Sequence, residues 1–150
     1  MSRPDLGDRE GPLTEWQEAA RFYRAVLGWP SGVFGTAVWV LAGYPVEALD
    51  APEALSRCAL TLLGDGAGPV FEAPGDHGTR WVLLTRPRAD DPSARAPELA
   101  GLGVEHLWAG ATLDLPPSRF GTHRLRWINS ADTPVPAFTT VAAAIIQAAR

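Results

Sequence analysis

The spacing of apolar residues in the first third of the chain predicts one helix and two strands. Apolar residues recur at helical spacing after Thr14, and Thr14 with Gln17 has the spacing of a capping box. The helix is predicted to end at Gly28, a residue type common just after helix C-termini. A continuous apolar run at 37–42 then predicts a buried strand, and 46–49 predicts a shorter one.

The remaining segments continue the alternation between helical and extended patterns. Asp50 precedes Pro52 and Glu53, so Asp50 is predicted to cap a second helix that ends at Gly64. Cys58 lies on the apolar stripe of this helix and is predicted to be a core residue. Further strands are predicted at 69–73, 80–84, 104–108, 111–115 and 122–128. A helical turn is predicted at 98–102 and a last helix at 141–149, capped by Thr139 or Thr140.

Three helices and six or seven strands predict an α+β fold with a mixed or antiparallel sheet. The chain has 150 residues, the size of one domain, and no repeat or linker divides it. Residues 1–12 lack a hydrophobic period and are predicted to be a flexible tail. The sequence therefore predicts a single domain over residues 13–150.

Composition narrows the possible classes of protein. Cys58 is the only cysteine, which excludes an internal disulfide and a cysteine-rich zinc site. No apolar run approaches the roughly 20 residues that cross a membrane, and residues 1–11 are too polar for a signal peptide. We therefore expect a cytoplasmic protein that does not associate with a membrane.

The net charge is −4, and all 13 basic residues are arginines. Proteins that bind nucleic acid without sequence preference usually carry a surplus of positive charge. The overall charge therefore argues against strong non-specific binding of nucleic acid, although it leaves room for a local basic patch.

The segment 110–127, which reads Gly-Ala-Thr-Leu-Asp-Leu-Pro-Pro-Ser-Arg-Phe-Gly-Thr-His-Arg-Leu-Arg-Trp, resembles a signature of the bifunctional primase–polymerase domain. In that family a strand runs into Pro-Pro-Ser, a short turn that contains glycine, and a second strand that ends near tryptophan. The order of other elements agrees, with Gly-Trp-Pro at 28–30 and a strand that ends at Asp50. The resemblance covers residues 15–128, is strongest to short actinobacterial versions, and implies a primase–polymerase-like fold.

The set of catalytic residues that the resemblance implies is incomplete in this chain. Nucleotidyl transfer in this family uses divalent metals held by clustered carboxylates. The matching positions here read Asp50-Ala51-Pro52, so proline replaces the second acid, and Trp81 replaces a histidine near the nucleotide phosphates. The resemblance therefore implies a catalytically degenerate domain without a cofactor, which acts by binding a protein partner, a nucleotide or nucleic acid and is regulatory in function.

An active, divergent primase/polymerase is the alternative to a degenerate domain. Its residual catalytic candidates are Asp50, Glu47 and Asp114, with Mg²⁺ or Mn²⁺ as the cofactor. Asp50 lies three positions after Glu47, so on one strand their side chains are predicted to point to opposite faces. No metal site is predicted from the histidines, because their spacing matches no metal motif. His77 follows Asp76 in a turn and is interpreted as a solvated residue.

Arginines near the Pro-Pro-Ser segment are the main candidates for binding. Alternation along 122–128 places Arg124 and Arg126 on one face and His123, which is predicted to be half-buried, on the other. Arginines on one face can bind phosphate through two hydrogen bonds, whereas a merely solvated face would protect the sheet from aggregation. The predicted ligand or nucleic-acid-binding residues are Arg80, Ser118, Arg119, His123, Arg124 and Arg126.

A third interpretation comes from the first helix. Residues 21–29, Arg-Phe-Tyr-Arg-Ala-Val-Leu-Gly-Trp, resemble a helix of the glyoxalase/vicinal-oxygen-chelate family, in which Phe-Tyr-x-x-x-Leu-Gly is common. That family requires βαβββ repeats with histidine or glutamate ligands on defined strands. No helix of similar pattern recurs in this chain, and an amphipathic helix that ends at Gly28 also explains the match.

Overall fold

The structure is a computed structural model that describes residues 12–43, 45–88 and 96–150. These residues form four α-helices and ten strands, joined by turns and loops. The helices are α1 (Glu15–Ala25), α2 (Glu53–Leu63), α3 (Ala96–Gly101) and α4 (Phe138–Ala148). The strands are β1 (Ser31–Phe34), β2 (Ala37–Leu41), β3 (Glu47–Pro52), β4 (Val70–Ala73), β5 (Arg80–Thr85), β6 (Glu105–Leu107), β7 (Thr112–Leu115), β8 (Arg119–Phe120), β9 (His123–Arg124) and β10 (Arg126–Asn129).

The described strands form three sheets in which every pairing is antiparallel. A five-stranded sheet has the order β10-β4-β5-β3-β6, a second sheet has the order β1-β2-β7, and β8 pairs with β9. The run β3-α2-β4-β5-α3-β6 with strand order β4-β5-β3-β6 is a ferredoxin-like unit. The predicted α+β class with antiparallel strands is therefore confirmed.

Both faces of the five-stranded sheet are covered, because its central strands carry apolar residues on each side. Leu49 and Ala51 of β3 belong to a core cluster with residues of α2, α3 and α4. Val46 and Ala48 belong to a second cluster with residues of α1 and the three-stranded sheet. The molecule thus has α2, α3 and α4 on one side of the five-stranded sheet, and α1 with the three-stranded sheet on the other. No helix among the described residues is long and apolar enough to cross a membrane.

The first helix begins as predicted from sequence, and β2 lies within the predicted strand at 37–42, whereas β1 was not predicted. The Thr14 side chain accepts a hydrogen bond from the Gln17 backbone, and the Gln17 side chain accepts one from Thr14, which completes the predicted capping box. Gly28 follows the helix at a positive φ of 73°. Most of the predicted tail, residues 1–11, lies outside the described part of the chain.

The prediction that Asp50 caps α2 is wrong. Asp50 lies inside β3 opposite Val82, and Pro52 is the N-cap residue, with no side-chain hydrogen bond. The physical reason is that β3 pairs with β5 as far as Pro52, so the strand takes up the residues predicted to start the helix. Asp50 is therefore a strand residue whose side chain is available for other contacts.

Other elements also differ from their predicted form. Cys58 is exposed, because α2 buries Ser56 and Ala59 against the sheet instead. The last helix begins at Phe138 with Ala137 as its N-cap and no side-chain hydrogen bond, so neither predicted threonine caps it. The predicted strand 122–128 is divided into β9 and β10, and β6 and β7 belong to different sheets.

Candidate ligand-binding groove

A groove of about 570 Å³ lies between the turn that joins β4 to β5 and the segment that contains β9 and β10. This volume falls within the range of pockets that take small molecules. The residues that line this binding groove are Glu72, Ala73, Pro74, Gly75, Gly78, Thr79, Thr122, His123, Arg124 and Arg126. Three predicted binding residues, His123, Arg124 and Arg126, therefore meet at one site.

Arg126 is the most accessible cation of the binding groove. Its side chain is 71% exposed, and its Nη2 lies 3.4 Å from Oε1 of Glu72 on the neighbouring strand. Exposed ion pairs of this length contribute little to stability because water screens them. The Arg126 guanidinium can therefore turn to a ligand at low cost.

Arg124 is held more firmly at the rim of the binding groove. Its two terminal nitrogens donate to the two carboxylate oxygens of Glu15 on α1, at 2.9 and 3.0 Å. Hydrogen bonding to Arg124 lowers the pKa of Glu15, and the same bonds raise the pKa of Arg124. Arg124 thus links the β9 strand to α1 and is partly committed to that contact.

The β4–β5 turn gives the binding groove a wall of backbone. A Cβ added at Gly75 would lie 2.7 Å from the Gly78 carbonyl oxygen, so a side chain does not fit there. Gly78 has a φ of 126°, which side-chain-bearing residues rarely adopt. His123 is exposed, contrary to the half-buried position predicted for it, because the short β9 lies outside the large sheet.

Three predicted binding residues, Arg80, Ser118 and Arg119, do not line the groove. Ser118 is fully buried, and its hydroxyl accepts from the Val38 amide at 2.7 Å and donates to the Val38 carbonyl at 3.1 Å. The Ser118 hydroxyl therefore joins the Pro-Pro-Ser segment to β2 instead of lining the groove. Arg119 lies over the Trp16 ring, 5.7 Å from its centroid.

A second cavity of about 290 Å³ adjoins the binding groove and shares Ala73 and Pro74 with it. Asp50 and Asp114 both line this two-acid cavity, and most of its other lining residues are apolar. Two of the three predicted catalytic candidates are therefore brought to one place. Desolvation raises the pKa of the Asp114 carboxyl, and no described residue forms an ion pair with it.

Arg80, another predicted binding residue, holds Asp50. Its Nε donates to the Asp50 carboxylate, and its Nη2 donates to the Asp50 carbonyl at 2.9 Å and to the Gly103 carbonyl at 2.7 Å. Arg80 is absent from the lining of the binding groove and lines a smaller pocket beside it with Asp76 and His77, which both lie in an exposed turn.

Glu47 lies on the opposite face of β3 from Asp50, as its sequence offset predicts. Glu47 is 4% exposed, and its carboxylate lies 2.8 Å from Nε2 of His106 and accepts a hydrogen bond from the Arg88 amide at 3.1 Å. Burial is the main cause that lowers the pKa of His106, and the hydrogen bond to Glu47 opposes it. Glu47 is therefore separated from the two-acid cavity.

The residues present do not fit a pair of divalent metal ions. Within residues 12–43, 45–88 and 96–150, no three His, Cys, Asp or Glu side chains lie close enough together to hold a metal. The Asp50 carboxylate accepts a hydrogen bond from the Arg80 guanidinium. Among the described residues that line the two-acid cavity, Asp50 and Asp114 are the carboxylates.

Sequence reasoning missed the acidic partners of the arginines and the hydroxyls of Thr79 and Thr122. The strand pairing of Arg126 with Glu72 depends on which strand lies beside β10, and the sequence does not reveal this.

Comparison with known proteins identifies no relative of the chain. No protein-family model, no curated protein and no solved structure matches it.

Proposed function

We propose that the chain is a non-catalytic, regulatory binding domain of the primase–polymerase type, whose binding groove takes a phosphate-bearing ligand such as a nucleotide. The observation that carries the proposal is the accessible guanidinium of Arg126 in a 570 Å³ groove walled by a glycine turn. The resemblance of the Pro-Pro-Ser segment to the primase–polymerase signature supports the assignment to that type.

The chemistry of the groove favours phosphate over other groups. A guanidinium presents two parallel N–H donors that match the oxygens of phosphate. Thr79 and Thr122 add hydroxyls, and His123 adds an exposed imidazole. Few apolar side chains line the groove, so a polar ligand is favoured over a hydrophobic one.

The charges favour a nucleotide over a long nucleic acid. Arg80, Arg124 and Arg126 each already have a carboxylate partner, and the chain as a whole carries a net charge of −4. A polyanion would meet few free cations along such a surface. An active polymerase is not proposed, because Arg80 occupies Asp50 and Glu47 lies on the other face of β3.

The test is the binding of fluorescently labelled nucleoside triphosphates to the purified chain at low salt, compared between wild type and Arg126→Ala. Loss of a hydrogen bond to a charged group costs about 1.5–3 kcal/mol, so we expect affinity to fall by about tenfold or more. Arg57→Ala is the matched control, since Arg57 is 63% exposed, pairs with one carboxylate and lies on α2. This control removes the same charge and should leave affinity unchanged.

Absence of binding by the wild type at low salt, or an equal loss in the Arg57 and Arg126 variants, would refute the proposal. A protein partner and a polynucleotide would then be the remaining ligand classes. Primer extension with Mg²⁺ or Mn²⁺ tests the non-catalytic part, and we expect no incorporation. Incorporation that Asp50→Asn abolishes would establish the active alternative instead.

A further inference from the structure

We infer that Arg80 takes the place of a metal ion at Asp50, so that the chain supplies its own cation to this carboxylate. The inference concerns the two-acid cavity and does not depend on what the binding groove holds. Asp50 lies inside β3 and lines this cavity together with Asp114, and the described residues around them form no cluster of three metal-ligating side chains.

The contacts of Arg80 converge on Asp50. Its guanidinium donates to the carboxylate and to the backbone carbonyl of the same residue, and a third hydrogen bond reaches the Gly103 carbonyl. The Asp50 side chain is 22% exposed and that of Arg80 is 30% exposed, so water screens the pair only in part. A planar, always charged group with several fixed donors is suited to such a permanent contact.

The fold fixes Arg80 in this position from two sides. β3 and β5 pair so that Arg80 lies opposite Pro52, two residues from Asp50, and the side chain reaches across the ladder. A Cβ added at Gly75 would meet Cγ and Cδ of Arg80 at 2.9 Å, so the turn packs directly on the arginine stem. The guanidinium is thereby directed at Asp50 by its neighbours.

A divalent cation and this guanidinium exclude each other. Mg²⁺ and Mn²⁺ need carboxylate oxygens with room for water ligands, and a positive charge in hydrogen-bond contact opposes a second cation. Pro52, two residues after Asp50, offers no side-chain oxygen as a substitute ligand. Removal of the arginine charge should therefore let Asp50 bind metal with the help of Asp114, which lines the same cavity.

The experiment measures Mn²⁺ binding to the full chain by the loss of the electron paramagnetic resonance signal of free Mn²⁺. Wild type and Asp50→Asn should bind Mn²⁺ equally weakly. Arg80→Met should gain about tenfold or more in affinity, the size of effect that one adjacent charge has on an ionic equilibrium. The double variant Arg80→Met/Asp50→Asn should lose that gain, and Arg57→Met should behave as wild type.

Two results would overturn the inference: Mn²⁺ binding by wild type that Asp50→Asn removes, or a folded Arg80→Met variant with no gain in affinity. Circular dichroism establishes whether that variant folds. A second measurement does not depend on that variant. In ¹H–¹⁵N spectra of wild type, a slowly exchanging arginine Nε–H signal should be present, and it should be lost in Asp50→Ala, which has no side-chain acceptor. Absence of that signal in wild type also overturns the inference.

Discussion

Ser118 shows how one buried hydroxyl can connect two parts of this fold. It both accepts from and donates to the backbone of Val38, so the Pro-Pro-Ser segment is attached to the start of β2. The sequence draws attention to Ser118 through the Pro-Pro-Ser motif. It does not reveal the role of Ser118, because the partner lies 80 residues away along the chain.

We expect Ser118→Ala to lower the free energy of unfolding by about 1–3 kcal/mol, because it leaves a buried amide and carbonyl of Val38 without partners. Urea unfolding followed by tryptophan fluorescence measures this change. Ser130→Ala is the control, since the Ser130 hydroxyl bonds to exposed Asp132 and its loss should cost less than about 0.5 kcal/mol. A Ser118 variant as stable as the control would refute the role assigned to the hydroxyl.

His106 is a second residue whose environment leads to a measurable effect. Glu47, the Arg88 guanidinium and the rings of Trp108 and Phe138 surround it, and burial lowers its pKa below the ordinary 6.5. A histidine whose pKa is lower in the folded chain takes up a proton more readily after unfolding. Its contribution to stability is therefore present above pH 6.5 and is lost as the pH falls through the folded-state pKa.

We expect the free energy of unfolding of the wild type to decrease between pH 8 and pH 5.5 more steeply than that of His106→Gln. Glutamine can still donate a hydrogen bond to Glu47, so the substitution removes the titration while it keeps the contact. Urea unfolding at a series of pH values measures the two slopes, with His77→Gln as the control for loss of an exposed histidine. Equal slopes for wild type and His106→Gln would contradict the argument.

At the scale of elements, helices and buried strands with strong patterns were predictable, whereas the contacts between elements were not. The capping box of α1 and the apolar run of β2 are local features, and each can be identified within about ten residues of sequence. The end of β3 depends on the pairing of Pro52 with Arg80 of β5, and this pairing overrode the helix-cap pattern at Asp50. The groove escaped prediction for the same reason, since it lies between β4, β9 and β10.

The β1–β2 hairpin contains a packing constraint that the pattern alone does not show. Gly32 faces Trp39 on the neighbouring strand, and a Cβ added at Gly32 would lie 2.5 Å from the indole ring. The indole thus lies directly on the backbone of the facing strand. Only glycine leaves room for this arrangement.

We expect Gly32→Ala to reduce the free energy of unfolding by about 1–3 kcal/mol, the usual cost of forcing extra volume into packed structure. The near-ultraviolet circular dichroism spectrum should change as well, because Trp39 must move. Gly66→Ala is the matched control, since a Cβ there has no atom within 4 Å and the change should be neutral or slightly stabilising. Retention of wild-type stability and spectrum by Gly32→Ala would show that the hairpin tolerates the added methyl group.

At the scale of the whole molecule, the distribution of charge decides which ligand the binding groove can take. Sequence alternation predicted arginines on one face, but the fold gives each of Arg80, Arg124 and Arg126 a carboxylate from a different element. These partners come from β3, α1 and β4, which lie far apart in sequence. A cluster of arginines in the sequence thus became a largely neutralised surface in the fold.

We expect binding of phosphate-bearing ligands to depend on the first one or two phosphates and to gain little from longer chains. The net charge is −4, Arg126 is loosely paired, and Arg124 at the rim of the groove is bonded to Glu15, so little positive charge is left there to neutralise further phosphates. The logarithm of the binding constant should therefore fall with the logarithm of salt concentration at a slope of about −0.7 to −1.4, the value for one or two contacts to a single strand. Fluorescence anisotropy with labelled oligonucleotides of one to twelve nucleotides gives both the length dependence and this slope. Affinity that rises steadily with length, together with a slope several times steeper, would identify a polynucleotide as the ligand and would require the carboxylate partners of the arginines to be displaced on binding.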